Sequence, residues 1–85
     1  MNLQDQFETA VANSKSLTEK PSNEILLKLY SLYKQATSGD NTAEAPSNPF
    51  DFVAKAKHDA WDQLKGTTNE NAMQQYIDLV NKLKG

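Results

Sequence analysis

The chain has 85 residues, 38% of them apolar and 24% charged, a globular composition long enough for one domain over residues 1–85 and too short for a second module. Without cysteine it can hold no disulfide, thiolate nucleophile or Cys-based zinc site, a pattern that fits a reducing, cytoplasmic setting. Its net charge of −2, with nine lysines and no arginine, argues against a broad nucleic-acid surface, so an anionic ligand must meet a local lysine cluster.

The N-terminal stretch lacks the basic and apolar segments of a secretory signal, and no run of about 18 apolar residues occurs anywhere, which predicts neither secretion nor stable membrane insertion. Leu3, Phe7, Ala10, Val11 and Leu17 recur at the spacing of one helical face. Lys20-Pro21-Ser22 interrupts that series, and Ser22 or Asn23 can cap a second helix whose Glu24 suits the positive end of the helix dipole. Gly39 closes the second helix where a left-handed residue is wanted. Helix two carries two adjoining apolar stripes, Ile25, Leu29, Leu32 and Ala36 beside Leu26, Tyr30 and Tyr33, a face wider than one bundle seam requires. One stripe is therefore free to line something else.

Asp40 to Phe50, with Pro46 and Pro49, has no periodicity and is long for a connection; a functional loop and a plain crossover fit it about equally well. Asp51 is a suitable N-cap for a third helix presenting Phe52, Ala56, Ala60, Trp61 and Leu64, with Gly66 at its end. Thr67 and Glu70 have capping-box spacing for a fourth, whose face reads Ala72, Met73, Tyr76, Ile77, Val80 and Leu83. No strand pattern, repeat or low-complexity tract intervenes, and the prediction is an all-α four-helix bundle.

Catalysis has little to work with. His58 is the single histidine and has no cysteine to pair with; with Asp62 one turn away it makes too few ligands for a metal site, and the three glycines stand singly rather than as a phosphate loop. Tyr30, Tyr33 and Lys34 instead bring two phenols and an ammonium to one broad face, a set suited to a flat base carrying phosphates. Spacing alone favours the plainer assignment, in which both tyrosines belong to the core and Lys34 is a solvated neighbour.

The run Leu29-Tyr-Ser-Leu-Tyr-Lys-Gln-Ala-Thr-Ser-Gly-Asp40 shifts that balance, because it resembles the LYxLYKQAT-GD stretch of the acyl-CoA-binding protein family. Ala56-Lys57-His58-Asp59-Ala60-Trp61 is similar to the family's AKWDAW, and Lys65-Gly66-Thr67, Ala72-Met73-Gln-Gln-Tyr76-Ile77 and the opening Phe7, Ala10, Leu17 and Pro21 follow the same order and spacing. The resemblance implies the family's four-helix bundle and a non-catalytic carrier of medium- to long-chain acyl-CoA, without a cofactor, acting as a monomer in the cytoplasm. It implies that Tyr30, Lys34 and Lys57 hold the region of the 3′-phosphate, that Tyr33 and Tyr76 pack around the adenine, and that Lys15 flanks the ligand. Leu26 and Leu27 would cover the acyl chain, and Ser31 and Leu32 are taken into the site with the tyrosines that bracket them.

Three positions depart from the family pattern: His58 stands where it usually has Trp, Ser14 where an apolar residue is common, and Ala54 where Gly is frequent. The Pro46-Ser-Asn-Pro49 turn also differs from the family's usual PG turn. Met1 together with four helices points to a free-standing carrier rather than a piece of a larger lipid enzyme. The competing assignment is a helical interaction module that docks a partner helix on the Tyr30/Tyr33 face.

Overall fold

The computed structural model of the chain describes residues 2–17, 19–42, 47–48 and 50–84, and among these there are four helices and no strand. The helices are α1 (Leu3–Ser14), α2 (Asn23–Ser38), α3 (Phe52–Asp62) and α4 (Asn69–Leu83). Pro46 and Pro49, which mark the long connection before α3, lie outside the described residues.

Each helix begins at a residue whose side-chain oxygen accepts from a backbone N–H that the helix itself leaves unpaired. Asn2 accepts from Asp5, Ser22 from Ile25, Asp51 from Ala54 and Thr68 from Asn71. The last of these corrects the sequence expectation by one residue. The cap of α4 is Thr68 rather than Thr67, so Thr67 and Glu70 do not form the capping pair. Thr67 is instead drawn into the turn before the helix, where its N–H donates to the Leu64 carbonyl at 2.9 Å and its own carbonyl accepts from Gln35 at 2.7 Å.

The helix ends also differ from the expected ones. Leu17 lies beyond α1, which stops at Ser14. The hydroxyl of Ser14 donates to the Val11 carbonyl at 2.7 Å, and that of Ser16 reaches back to Ala12 and Asn13, so short side chains take up carbonyls that a continuing helix would use. At the end of α2, Gly39 has φ +80° and ψ −151°. The positive φ explains the glycine, but the ψ is not that of a left-handed helical residue. Helix α3 ends at Asp62, four residues before Gly66, whose φ is +92°.

Phe7, Ala10, Leu29, Leu32, Ala36, Ala72, Tyr76, Ile77 and Val80 form the core. They come from α1, α2 and α4 at the helical periodicity seen in the sequence. α4 packs against both α1 and α2, whereas α3 packs on α2 alone and contributes no buried residue. Phe52, which opens the apolar series of α3, is 72% exposed.

Polar bonds fasten the far end of α2 to the turn before α4. Gln35, with no exposed surface, donates through Nε2 to Asp40 Oδ1 at 2.9 Å and to the Thr67 carbonyl. Asp40 Oδ1 also accepts from the Gly66 N–H at 2.9 Å, and Asn69 Nδ2 donates to the Ala36 carbonyl at 2.8 Å. The Gly66 N–H, then the Gln35 amide, hold the Asp40 carboxyl below its ordinary value of 3.8. A carboxylate depressed in the folded state stabilises the fold above its unfolded pKa, and that contribution is lost as pH falls through the folded value. Acid melts of the parent should therefore show a loss of stability starting below about pH 4 that is smaller in Asp40→Asn, measured by circular dichroism. Identical acid limbs for the two proteins would mean that the charge on Asp40 adds nothing.

Candidate functional site

Two adjoining clefts open along α2. The first, of about 430 Å³, lies between α2 and α3 and is lined by Asn23, Leu26, Leu27, Tyr30, Phe52, Val53, Ala56 and Lys57. Its walls are almost wholly apolar, with Lys57 supplying the one full charge among the lining residues. The second, of about 340 Å³, lies where α1, α2 and α4 meet and is lined by Val11, Ser14, Lys15, Leu26, Leu29, Tyr30, Tyr33 and Tyr76. Leu26 and Tyr30 line both, so the two clefts share a wall.

The wide apolar face of α2 produces this arrangement. Ile25, Leu29, Leu32 and Ala36 are turned to the core, which leaves Leu26, Tyr30 and Tyr33 as the second stripe that the sequence suggested. Tyr33 is 41% exposed, and its ring stacks on Phe7 with centroids 6.0 Å apart. Phe7 in turn meets the edge of Tyr76 at 5.2 Å. This aromatic series joins α2, α1 and α4. The Tyr76 hydroxyl donates to Ser14 Oγ at 3.1 Å.

The lysines are held over rings. Lys57 Nζ lies 5.2 Å from the centroid of Tyr30, across the gap between α3 and α2. Lys34 Nζ lies 5.0 Å from the centroid of Trp61, whose indole N–H donates to the Gly39 carbonyl at 2.8 Å. Both ammonium groups are thus kept near aromatic faces by modest cation–π attraction and remain available to a stronger anionic partner. His58 lines neither cleft; its Nδ1 is 3.5 Å from Asp59 Oδ1.

Of the ten residues named from sequence, the structure gathers Lys15, Leu26, Leu27, Tyr30, Tyr33, Lys57 and Tyr76 around the two clefts. It does not bring Ser31, Leu32 or Lys34 to their walls. Leu32 is 1% exposed and belongs to the core. Ser31 is also buried, on the α3-facing side of α2, with its hydroxyl donating to the Lys28 carbonyl at 2.9 Å. Position 31 lies four residues after Leu27, which lines the cleft between α2 and α3, and three before Lys34, which stands over Trp61 of α3, so it sits beside both on the helix. Lys34 stands over Trp61 instead. Sequence reading missed Asn23, Phe52, Val53 and Ala56 as cleft residues. Phe52 was legible only as an apolar residue at the start of α3.

Among the described residues no group of three or more His, Asp or Glu could hold a metal ion, and no helix is long and apolar enough to cross a membrane. A small helical module with an apolar cleft beside an aromatic, lysine-flanked one is a ligand-binding architecture. A sequence model described as acyl-CoA-binding protein matches residues 4–80, and the chain belongs to that family.

The chain is 48% identical over 77 residues to acyl-CoA-binding protein homolog 1 of Caenorhabditis elegans, covering 91% of this chain and 88% of that protein. It is 50% identical over 80 residues to enoyl-CoA delta isomerase 2 of Rattus norvegicus, covering 94% of this chain but only 20% of the isomerase. Among solved structures, the crystal structure of Oryza sativa acyl-CoA-binding protein 2 superposes with a TM-score of 0.90 at 41% identity, covering 96% of this chain and 90% of that one. The expected all-α fold and family are borne out.

Proposed function

We propose that residues 1–85 form a non-catalytic acyl-CoA-binding domain that carries medium- to long-chain acyl-CoA as a monomer in the cytoplasm. The observation that carries this reading is the pair of clefts sharing Leu26 and Tyr30, one apolar and the other walled by three tyrosines and Lys15. The acyl chain occupies the first, over Leu26, Leu27, Phe52, Val53 and Ala56, and the adenine occupies the second, against Tyr33 and Tyr76. Lys57, on the shared side of Tyr30, and Lys34, by swinging from Trp61, neutralise the phosphates, with Lys15 flanking them.

The two halves of such a ligand need each other. Burying about 14 methylenes at about 0.8 kcal/mol each gives at most about 11 kcal/mol, from which ordering costs of several kcal/mol must be subtracted. Charge-assisted hydrogen bonds to the phosphates, at about 1.5–3 kcal/mol each, supply the remainder and fix the orientation. The domain uses no cofactor and performs no chemistry on its cargo, and it neither binds nucleic acid nor inserts stably into a membrane. The relatives named for acyl-CoA binding favour this reading over a partner helix docked on the Tyr30/Tyr33 face.

Calorimetric titration with palmitoyl-CoA, free CoA and palmitate tests the proposal. The expected result is one-to-one binding of palmitoyl-CoA, with both fragments weaker by at least about 100-fold, corresponding to about 2.7 kcal/mol. Equal affinity for palmitoyl-CoA and free CoA would leave the apolar cleft without a role and sink the proposal.

A further inference from the structure

Ser14 and Tyr76 both line the second cleft, and their hydroxyls meet at 3.1 Å between α1 and α4. The direction of that hydrogen bond can be deduced. Ser14 Oγ also lies 2.7 Å from the Val11 carbonyl oxygen, which can only accept. Two oxygens that close need a proton between them, and the only one available is the serine's. With its proton committed to Val11, Ser14 can only accept from Tyr76. The phenolic proton of Tyr76 therefore points at Ser14, and what the Tyr76 hydroxyl has left is a lone pair.

We propose that Ser14 is a positioning residue that makes Tyr76 a hydrogen-bond acceptor in the cleft, so that the site selects a purine bearing an exocyclic amino group. Tyr76 is held for this purpose on two sides. Its ring meets Phe7 edge-on at 5.2 Å, and with 4% of its surface exposed it has little room to turn. An N–H donor on the base completes the series from base to Tyr76, Ser14 and the Val11 carbonyl, in which each hydroxyl both gives and receives. A base offering only an acceptor at that position meets a second acceptor and leaves the lone pair of the buried phenolic oxygen without a donor. Tyr33, 41% exposed, can turn its hydroxyl to suit either kind of base, so the discrimination falls to the buried Tyr76.

The inference rests on the acyl-CoA reading, with the base in the second cleft. Its test compares palmitoyl-CoA with the analogue in which the purine 6-amino group is replaced by hydrogen, for the parent, Ser14→Ala, Ser14→Thr and Tyr76→Phe. The parent should prefer the amino base by about five- to tenfold, the effect of one hydrogen bond. Ser14→Thr, which keeps the hydroxyl, should retain that preference. Ser14→Ala frees the Tyr76 proton to donate to a ring nitrogen of either base, and Tyr76→Phe removes the group, so both should bring the ratio near unity. A general packing role for Ser14 would weaken both ligands alike and keep the ratio, which overturns the inference, as does a parent that binds the two equally. Should Ser14→Ala fail to fold, Tyr76→Phe provides the same ratio. Failure of the underlying reading looks different: the parent then binds palmitoyl-CoA no more tightly than free CoA.

Discussion

Replacing Lys57 or Lys34 by alanine should weaken palmitoyl-CoA binding by about 10- to 150-fold each, the loss of one charge-assisted hydrogen bond of about 1.5–3 kcal/mol. The fold should hardly notice. Each ammonium lies 5.0–5.2 Å from a ring centroid, Lys34 over Trp61 and Lys57 over Tyr30. Such contacts at accessible sites contribute about 0.5–1 kcal/mol, a melting shift of only a few degrees. Raising the salt concentration should reduce the parent's affinity more than that of either variant, because the charge pairs being screened are fewer in the variants. If the melting temperature fell while affinity and its salt dependence held, the two lysines would serve only to brace the rings beneath them.

Leu32→Ala should have the opposite signature. Leu32 is 1% exposed in the core shared with α4, and deleting its buried side chain costs about 2–5 kcal/mol. For a domain of this size that lowers the melting temperature by roughly 10–30 °C. Below the new transition the folded variant should bind palmitoyl-CoA as the parent does, measured by titration at low temperature. A drop in affinity without a drop in stability would restore Leu32 to the binding site.

Leu32 illustrates why the site was only partly legible in the sequence. The motif from Leu29 to Asp40 is a single continuous run, but a helix distributes it over every side: Tyr30 and Tyr33 to the clefts, Leu32 and Ala36 to the core, and Gln35 to the turn before α4. Periodicity identified the two apolar stripes correctly, yet it did not say that Ser31 falls on the side packed by α3. Helix starts were readable because caps are local, as at Ser22 and Asp51. Where two threonines stood together, spacing favoured Thr67, but the Gln35 amide, 32 residues away in sequence, claimed its carbonyl and left Thr68 to cap. Phe52 could not be placed for a related reason: hydrophobicity reports that a residue avoids water, not what will cover it.

The peripheral position of α3 bears on how the molecule comes together. With no buried residue of its own, α3 meets the rest through half-buried packing on α2, the Lys57 ammonium over Tyr30, the Trp61 N–H on the Gly39 carbonyl and the Asn41 amide on the His58 carbonyl. The other three helices already share a contiguous apolar interior. They can assemble first, as a three-helix nucleus, with α3 docking afterwards as the least protected cooperative unit. An acyl chain lying between α2 and α3, as the proposed function has it, would serve as the missing layer of hydrocarbon and make cargo loading the final step of folding.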